Sequence, residues 1–173
     1  INQTIGLNVG VTNVFNAVMK RHCAGPVLTC NTSTKLTEPS FPVNIDGAHT
    51  GIGGVACVGC TISNTNGLLD NIDSTHANIT LTAGVAVNGN IAVKDELTDY
   101  TAGTFAGFNI LNNTLLGVNL LNNITITTYL NGVLAESNTG ASNLLSILNS
   151  SLIDSPTAKV VGFVSTMPFD EVK

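Results

Sequence analysis

Acidic and amide side chains gather in two short stretches that could together bind a hard cation. The first is LLDNIDSTHANI and the second is VKDELTDY. Ca²⁺ takes about six to eight oxygen ligands, so two such loops at one end of a sheet would suit it. The alternative is a plain Asx turn, in which the side chain bonds its own backbone. The candidate calcium ligands are Asp70, Asn71, Asp73 and Asp95, with Glu96 and Asp99 nearby.

The histidines and carboxylates do not form a recognisable catalytic set. His22, His49 and His76 lie far apart, and serine is too frequent for one beside a histidine to be informative. A catalytic histidine needs a nucleophile and an orienting group close by. Two carboxylates for glycoside cleavage could be drawn from residues 95–99, but these fit a solvated loop better. We therefore predict that the protein is not an enzyme. A secreted hydrolase would need a deep cleft with a strongly perturbed acid or base.

Four cysteines form a C-x6-C and a C-x2-C pair within residues 23–60. A four-thiolate zinc site is one interpretation, although the first spacing exceeds the usual zinc knuckle. Two disulfides in an oxidising compartment are favoured instead. A bond inside CVGC would be strained if that stretch is extended, so pairs crossing between the two segments are preferred. The predicted disulfide residues are Cys23, Cys30, Cys57 and Cys60.

Modification sites are also suggested by the sequence. Six positions match Asn-x-Ser/Thr without proline, although a chain rich in Asn and Thr produces some by chance. Ser74, in Asp73-Ser74-Thr75, matches a short acidic O-glycosylation pattern of secreted bacterial proteins. The candidate asparagines are Asn2, Asn31, Asn78, Asn112, Asn123 and Asn149.

Composition is typical of an extracellular all-β domain. The chain has 173 residues, of which 43% are hydrophobic and only 10% charged, with a net charge of −5. Six Lys and Arg are too few to drive nucleic-acid binding, and no apolar run approaches the roughly 18 residues of a membrane span. Aromatic residues are 5% and Trp is absent, which disfavours glycan platforms. We expect one domain, residues 1–173, located outside the cell or on its surface.

Alternating apolar residues and turn signals predict an antiparallel β-sandwich of jelly-roll or immunoglobulin-like type. ITITTYLNGVLAES and GVAVNGNIAVKD read as hairpins with type I′ turns at Asn-Gly. Further strands are predicted at 5–11, 14–20, 76–82, 105–111 and 159–165. Two Leu-rich stretches, 109–123 and 143–153, lack caps and are interpreted as loops. Residues 23–67 hold three of the five prolines and predict a long irregular strap near the N-terminus, held by the cysteines.

The two ends of the chain read as parts of one sheet. Placed in series, FDEVK and INQTIGLNVG continue an alternating apolar pattern. This predicts a tandem repeat or a head-to-tail polymer in which residues 1–20 continue from, or pair with, a neighbouring copy. The predicted assembly residues are Ile1, Ile5, Leu7, Val9 and Val172.

Four segments carry a family resemblance: VGFVSTMPFDEVK, TAGTFAGF, ITITTYLNGV and CAGPVLTCNT. They resemble segments of long secreted or cell-surface repeat proteins of Bacteroidota, in which a stretch like FDEVK runs on into one like INQTIGLNVG. The likeness covers most of the chain, but HANIT has His76 where an aromatic residue is expected. It implies an adhesin or a surface filament, exported across the outer membrane.

Together these features predict a structural or adhesive subunit of an extracellular filament or repeat stalk, assembled end to end by shared or complemented β-strands. Its first partner is another copy of itself, and surface glycans are a second. The alternative is a Ca²⁺-dependent carbohydrate-binding module of a larger secreted protein. In support of that alternative, residues 70–74 are similar to a glycan-binding loop of discoidin-like jelly rolls.

Overall fold

The computed structural model describes residues 28–29, 33–111, 122–148 and 158–173. Within these ranges the regular structure consists of fourteen strands and one 3₁₀ helix at Thr65–Leu68, with no α-helix. Every strand pair is antiparallel. The structure thus confirms the predicted all-β antiparallel fold.

The strands are short, and the longest have seven residues. In chain order they are β1 Val43–Ile45, β2 Gly51–Gly53, β3 Ala56–Val58, β4 Thr61–Ser63, β5 Asn78–Thr80, β6 Ala83–Val85, β7 Asn88–Asn90, β8 Val93–Asp95, β9 Phe105–Leu111, β10 Thr125–Leu130, β11 Val133–Thr139, β12 Leu145–Leu148, β13 Ala158–Val164 and β14 Glu171–Val172.

Two sheets pack against each other to form the body of the molecule. One has five strands in the order β1-β8-β14-β10-β11, and the other has three in the order β12-β13-β9. Ile126 of β10 shares a buried cluster with Val161 and Phe163 of β13, and Leu144 completes it. Because this cluster draws on both sheets, the body is a sandwich with its core between them.

A second buried cluster lies where Tyr100 and Phe169 form an isolated bridge. Their rings are 5.4 Å apart and tilted, and Ala106 packs beside them. Val172 contacts both clusters, so this one residue of β14 links the two parts of the core.

The hairpin predicted from ITITTYLNGVLAES is confirmed. β10 and β11 pair around Asn131 and Gly132, whose φ angles are 52° and 76°. Positive φ at both central residues is what a type I′ turn requires. The Asp170 carboxylate accepts the Asn131 N–H at 3.1 Å, which ties the turn to the neighbouring β14.

The second predicted hairpin is wrong. Asn88 and Gly89 lie inside β7, which pairs with β2, while β6 pairs with β3. Together with the β4–β5 pair, these strands form a long two-stranded ribbon that continues from β1 and β8, and we call it the β-ribbon (residues 51–90). Glycine fits here because a Cβ at position 89 would overlap the Ile79 side chain. Packing with a distant strand therefore overrides the local Asn-Gly turn signal.

Two of the other sequence expectations also need correction. Residues 43–63 are not an irregular strap, because they carry β1 of the five-stranded sheet and then β2 to β4, which form one side of the β-ribbon. The Leu-rich stretch 143–153 is not a loop at its start, because Leu145–Leu148 forms β12 and pairs with β13. The partner is the next strand of the chain, with Leu148 opposite Lys159. The stretch 109–123 begins in β9, and residues 112–121 lie outside the described ranges.

The remaining strand predictions fare differently. Residues 105–111 match β9, 159–165 match β13 within one residue, and 76–82 shorten to β5. Strands 5–11 and 14–20 lie outside the described residues.

Candidate functional site

Two carboxylates and an imidazole converge on the outer face of the five-stranded sheet. His49 Nδ1 lies 2.7 Å from Glu171 Oε1 and 3.4 Å from Asp46 Oδ2. One potential ligand atom from each residue falls within 4.8 Å of the others. We call Asp46, His49 and Glu171 the outer-face cluster. It is the one such group of three His, Cys, Asp or Glu residues in the described part of the chain.

The alternation of β14 places Glu171 on the outer face. Its neighbour Val172 packs into the core, so Glu171 must point the other way. Glu171 is nevertheless only 1% exposed, because the turn at residues 46–50 folds back over it. The Asp46 N–H donates to Ala92 O at 3.0 Å, and the Ala48 N–H donates to Asp46 Oδ1 at 2.7 Å. This Asx turn fixes the position from which Asp46 and His49 approach the sheet.

An aromatic side chain from the next strand orients the imidazole. Tyr129 lies directly across from Glu171 in the sheet, and its ring stacks on His49 with centroids 4.1 Å apart and planes at 20°. Lys173 Nζ lies 5.3 Å from the centroid of the Tyr129 ring. The stack restricts rotation of the imidazole and keeps Nδ1 turned toward the carboxylates.

Burial raises the pKa of Glu171 above its usual value. The nearby His49 opposes this shift, and the carboxyl group of Asp46 reinforces it. Glu171 Oε2 is fully buried and has no hydrogen-bond partner among the residues described. A buried carboxylate oxygen without a donor is costly, so the cluster as it stands is electrostatically incomplete.

The candidate calcium residues of the first acidic stretch have ordinary partners. Asp70 Oδ1 accepts the Ile72 N–H at 3.0 Å and the Thr75 hydroxyl at 2.7 Å, which is an Asx turn. These hydrogen bonds, the Ile72 bond first, lower the pKa of Asp70. Asp73 pairs with Lys35, and Asn71 adopts a positive φ of 57°. Asp70 therefore forms the plain Asx turn that was the alternative to a calcium site.

Asp95, the fourth candidate ligand, is buried in a hydrogen-bonded position of its own. It accepts the N–H groups of Leu97 and Thr98 at 3.0 and 3.1 Å, and the Tyr100 hydroxyl at 2.7 Å. It lies on β8, paired with β1 and β14. Asp95 thus caps a turn, and the calcium proposal remains a prediction without support from these contacts.

The predicted crossing of the disulfides is wrong for the two cysteines that the structure describes. Cys57 and Cys60 are bonded to each other, with Cα atoms 5.7 Å apart. The stretch between them is not extended, because Gly59 has a φ of 76° and turns the chain between β3 and β4. This turn removes the objection to a bond within CVGC. Cys23 and Cys30 lie outside the described residues.

Of the glycosylation candidates, Asn78, Asn123 and Ser74 are described, and all three are exposed. Of the assembly residues, only Val172 is described; it pairs with Thr128 on one side and Val93 on the other. β14 is therefore an interior strand of the chain's own sheet. The candidates that lie outside the described residues are Asn2, Asn31, Asn112, Asn149, Ile1, Ile5, Leu7 and Val9.

Sequence reasoning missed the outer-face cluster. Asp46 and His49 are three residues apart in a polar loop, which is a weak signal, and Glu171 follows 122 residues after His49. The one available hint was an acidic residue within the alternating end FDEVK, where a solvated position would be expected.

Comparisons with known proteins identify no relative of this chain. No protein-family model matches it, and neither a curated protein nor a solved structure shows significant similarity. Among the described residues, no helix has the length and apolarity needed to cross a membrane.

Proposed function

We propose that the protein is a structural or adhesive subunit of an extracellular filament or repeat stalk, and that copies associate by β-strand addition. The observation that carries the proposal is the long β11, which lies at the end of the five-stranded sheet formed by the described residues. Edge strands carry unpaired N–H and C=O groups that accept a further strand. The antiparallel fold and its disulfide agree with an oxidising, extracellular setting.

The β11 edge is apolar where it leaves the turn. Val133 is 69% exposed and Leu134 is 59% exposed. Solvent-exposed edges usually carry charged residues or bulges that oppose strand addition. β11 does carry a bulge at Ala135, because Leu134 pairs with Tyr129 and Glu136 with Thr128, but its first two residues carry no charge. An incoming strand would cover both side chains.

The incoming strand is assigned to residues 1–20 of a neighbouring copy. This segment has the alternating apolar residues Ile5, Leu7 and Val9, which suit pairing along one sheet face. Val172 does not act as the acceptor in this proposal, because both sides of β14 are already paired within the chain. The proposed acceptor is therefore β11 rather than the C-terminal strand.

The β-ribbon offers a second contact surface for adhesion. Val55 and Val58 are 84% and 82% exposed and lie on neighbouring parts of its first side. Exposed apolar side chains on a projecting two-stranded element suit contact with another surface, whereas a charged ribbon would not. The low charge of the whole chain, 10% of residues, agrees with this use.

A lysine at the β11 edge tests the assembly. Leu134→Lys places a charge where the incoming strand would pack, so we expect particles larger than the 17.8 kDa chain to be lost. Leu97→Lys is the matched control, because Leu97 is 57% exposed and lies outside the strands. Light scattering coupled to size-exclusion chromatography measures both. Monomeric wild-type protein, or equal assembly of both variants, would contradict the proposal.

A further inference from the structure

We infer that the outer-face cluster is a binding site for a divalent transition-metal ion, with Zn²⁺ as the representative ion. Asp46 and Glu171 would each supply a carboxylate oxygen, and His49 would supply Nδ1. The inference is independent of strand addition at β11, because the three residues lie in β14 and in the turn at residues 46–50, and none belongs to β11.

The two carboxylates of the cluster carry negative charge that would favour binding of a cation. Two carboxylates share one imidazole nitrogen, which can donate at most one proton. Lys94, directly across from Glu171 in the sheet, has its Nζ at 3.8 Å from Glu96 and 3.9 Å from Asp170 instead, and Lys173 Nζ lies 5.3 Å from the Tyr129 ring centroid. No protein donor in the described ranges reaches Glu171 Oε2. A divalent ion would balance two negative charges, and a Glu171 carboxylate that binds the ion through both oxygens would give this buried oxygen a partner.

The geometry of the donor atoms agrees with a small metal ion. Metal–ligand distances of about 2.1 Å and tetrahedral angles place neighbouring ligands about 3.4 Å apart. His49 Nδ1 and Asp46 Oδ2 are separated by 3.4 Å, and the 2.7 Å between Nδ1 and Glu171 Oε1 needs only a small opening. The Tyr129 ring restricts rotation of the imidazole by stacking on it. In known metal sites, groups that hydrogen-bond to a ligating histidine have this orienting role.

The donor types select the class of ion. One imidazole and two carboxylates suit Zn²⁺ and similar divalent ions, whereas Ca²⁺ needs more oxygen ligands than three side chains supply. The side chains of His49 and Asp46 are 25% and 22% exposed, so water can reach the ion from one side. Glu171 is buried on the other side. An ion here would also fix the turn at the base of the β-ribbon to β14.

The test is calorimetric titration of ZnCl₂ into the full chain, with free thiols first blocked by iodoacetamide. We expect one ion per chain, and a rise in the unfolding temperature when Zn²⁺ is present. His49→Phe keeps an aromatic ring against Tyr129 but removes Nδ1, and Glu171→Gln keeps the shape but removes the charge. Each should weaken binding by about tenfold or more. His76→Phe, at an exposed histidine outside the cluster, should bind as the wild type does.

Three outcomes would overturn the inference. These are no heat of binding, equal binding by all the variants, and displacement of Zn²⁺ by millimolar Ca²⁺. Circular dichroism establishes that each variant is folded. If Glu171→Gln does not fold, the comparison of His49→Phe with His76→Phe decides the result alone.

Discussion

Tyr100 donates its hydroxyl proton to Asp95 across 2.7 Å, and both side chains are buried. Burial first, and then the bond to Asp95, raises the pKa of Tyr100 far above its usual value. Asp95 also caps the backbone of Leu97 and Thr98. One hydrogen bond therefore joins the second core cluster to the end of β8.

Removing that hydroxyl should destabilise the fold. Tyr100→Phe keeps the ring against Phe169 but leaves a buried carboxylate oxygen without a donor. We expect a loss of about 1–3 kcal/mol in the free energy of unfolding, measured with urea. Tyr129→Phe is the control, because no hydrogen bond to the Tyr129 hydroxyl is seen within the described residues. Equal losses in the two variants would show that the bond to Asp95 contributes little.

Glu136 should make stability depend on pH. Its Oε2 accepts the Thr166 N–H at 2.8 Å and the Ser165 hydroxyl at 3.1 Å. The Thr166 bond is the main cause that lowers the pKa of Glu136 below its usual 4.5. A carboxyl whose pKa is lowered by folding stabilises the protein above the unfolded pKa. This contribution is lost as the pH falls through the lower folded value.

Glu136→Gln should therefore cost at most about 1 kcal/mol near neutral pH, because solvent screens this partly exposed carboxylate, and nothing under strongly acidic conditions. Urea unfolding at a series of pH values from neutral to below 4.5 measures the difference. Asp99→Asn removes an equal charge from an exposed position and controls for net charge. A difference between Glu136→Gln and the wild type that is constant with pH would contradict the assignment.

Gly132, in the turn between β10 and β11, allows the free-energy cost of a positive φ to be measured without a steric contribution. A Cβ added at Gly132 meets nothing within 4 Å, but the φ of 76° is unfavourable for any L side chain. Gly132→Ala should thus lose about 1 kcal/mol of stability through strain alone. Gly47→Ala also enters open space, without a positive φ, and should stay within about 0.5 kcal/mol of the wild type. Similar losses in both would point to a cause other than φ.

Local signals in the sequence correctly predicted the structural features that depend on residues close together in the chain. Asn131-Gly132 between alternating strands predicted its hairpin, because the turn type and the pairing depend on residues close in sequence. The same dipeptide at Asn88-Gly89 failed, because β7 is held by the distant β2 and by the contact of Ile79 with Gly89. A strand partner remote in sequence leaves no local signal.

The outer-face cluster could not be predicted for the same reason. Asp46 and His49 meet Glu171 only because β14 is inserted between β8 and β10, which no short pattern encodes. The disulfide prediction failed on one residue, since Gly59 turns a stretch that had been treated as extended. Composition and alternation were sufficient for the fold class, whereas the site depends on the order of strands in the sheet.

Close contact between β9 and β13 depends on a pair of glycines. Gly107 and Gly162 are direct partners in the sheet, and the Phe105 ring lies over both. A Cβ at Gly162 would overlap Ala106 O and lie 2.7 Å from both Gly107 Cα and Phe105 Cζ. The first two obstacles are backbone atoms, which cannot rotate away as a side chain can. The two strands must therefore shift to admit even a methyl group.

Gly162→Ala should accordingly lose about 2–3 kcal/mol of stability by urea unfolding. Gly51→Ala, at a strand glycine with nothing within 4 Å, should be close to neutral. The double variant Phe105→Ala with Gly162→Ala shows whether the Phe105 ring or the β9 backbone obstructs the added methyl group. If the ring were the obstacle, Phe105→Ala would reduce the cost of Gly162→Ala in a double-mutant cycle. We expect most of the cost to remain, because the Ala106 carbonyl and Gly107 Cα stay in place.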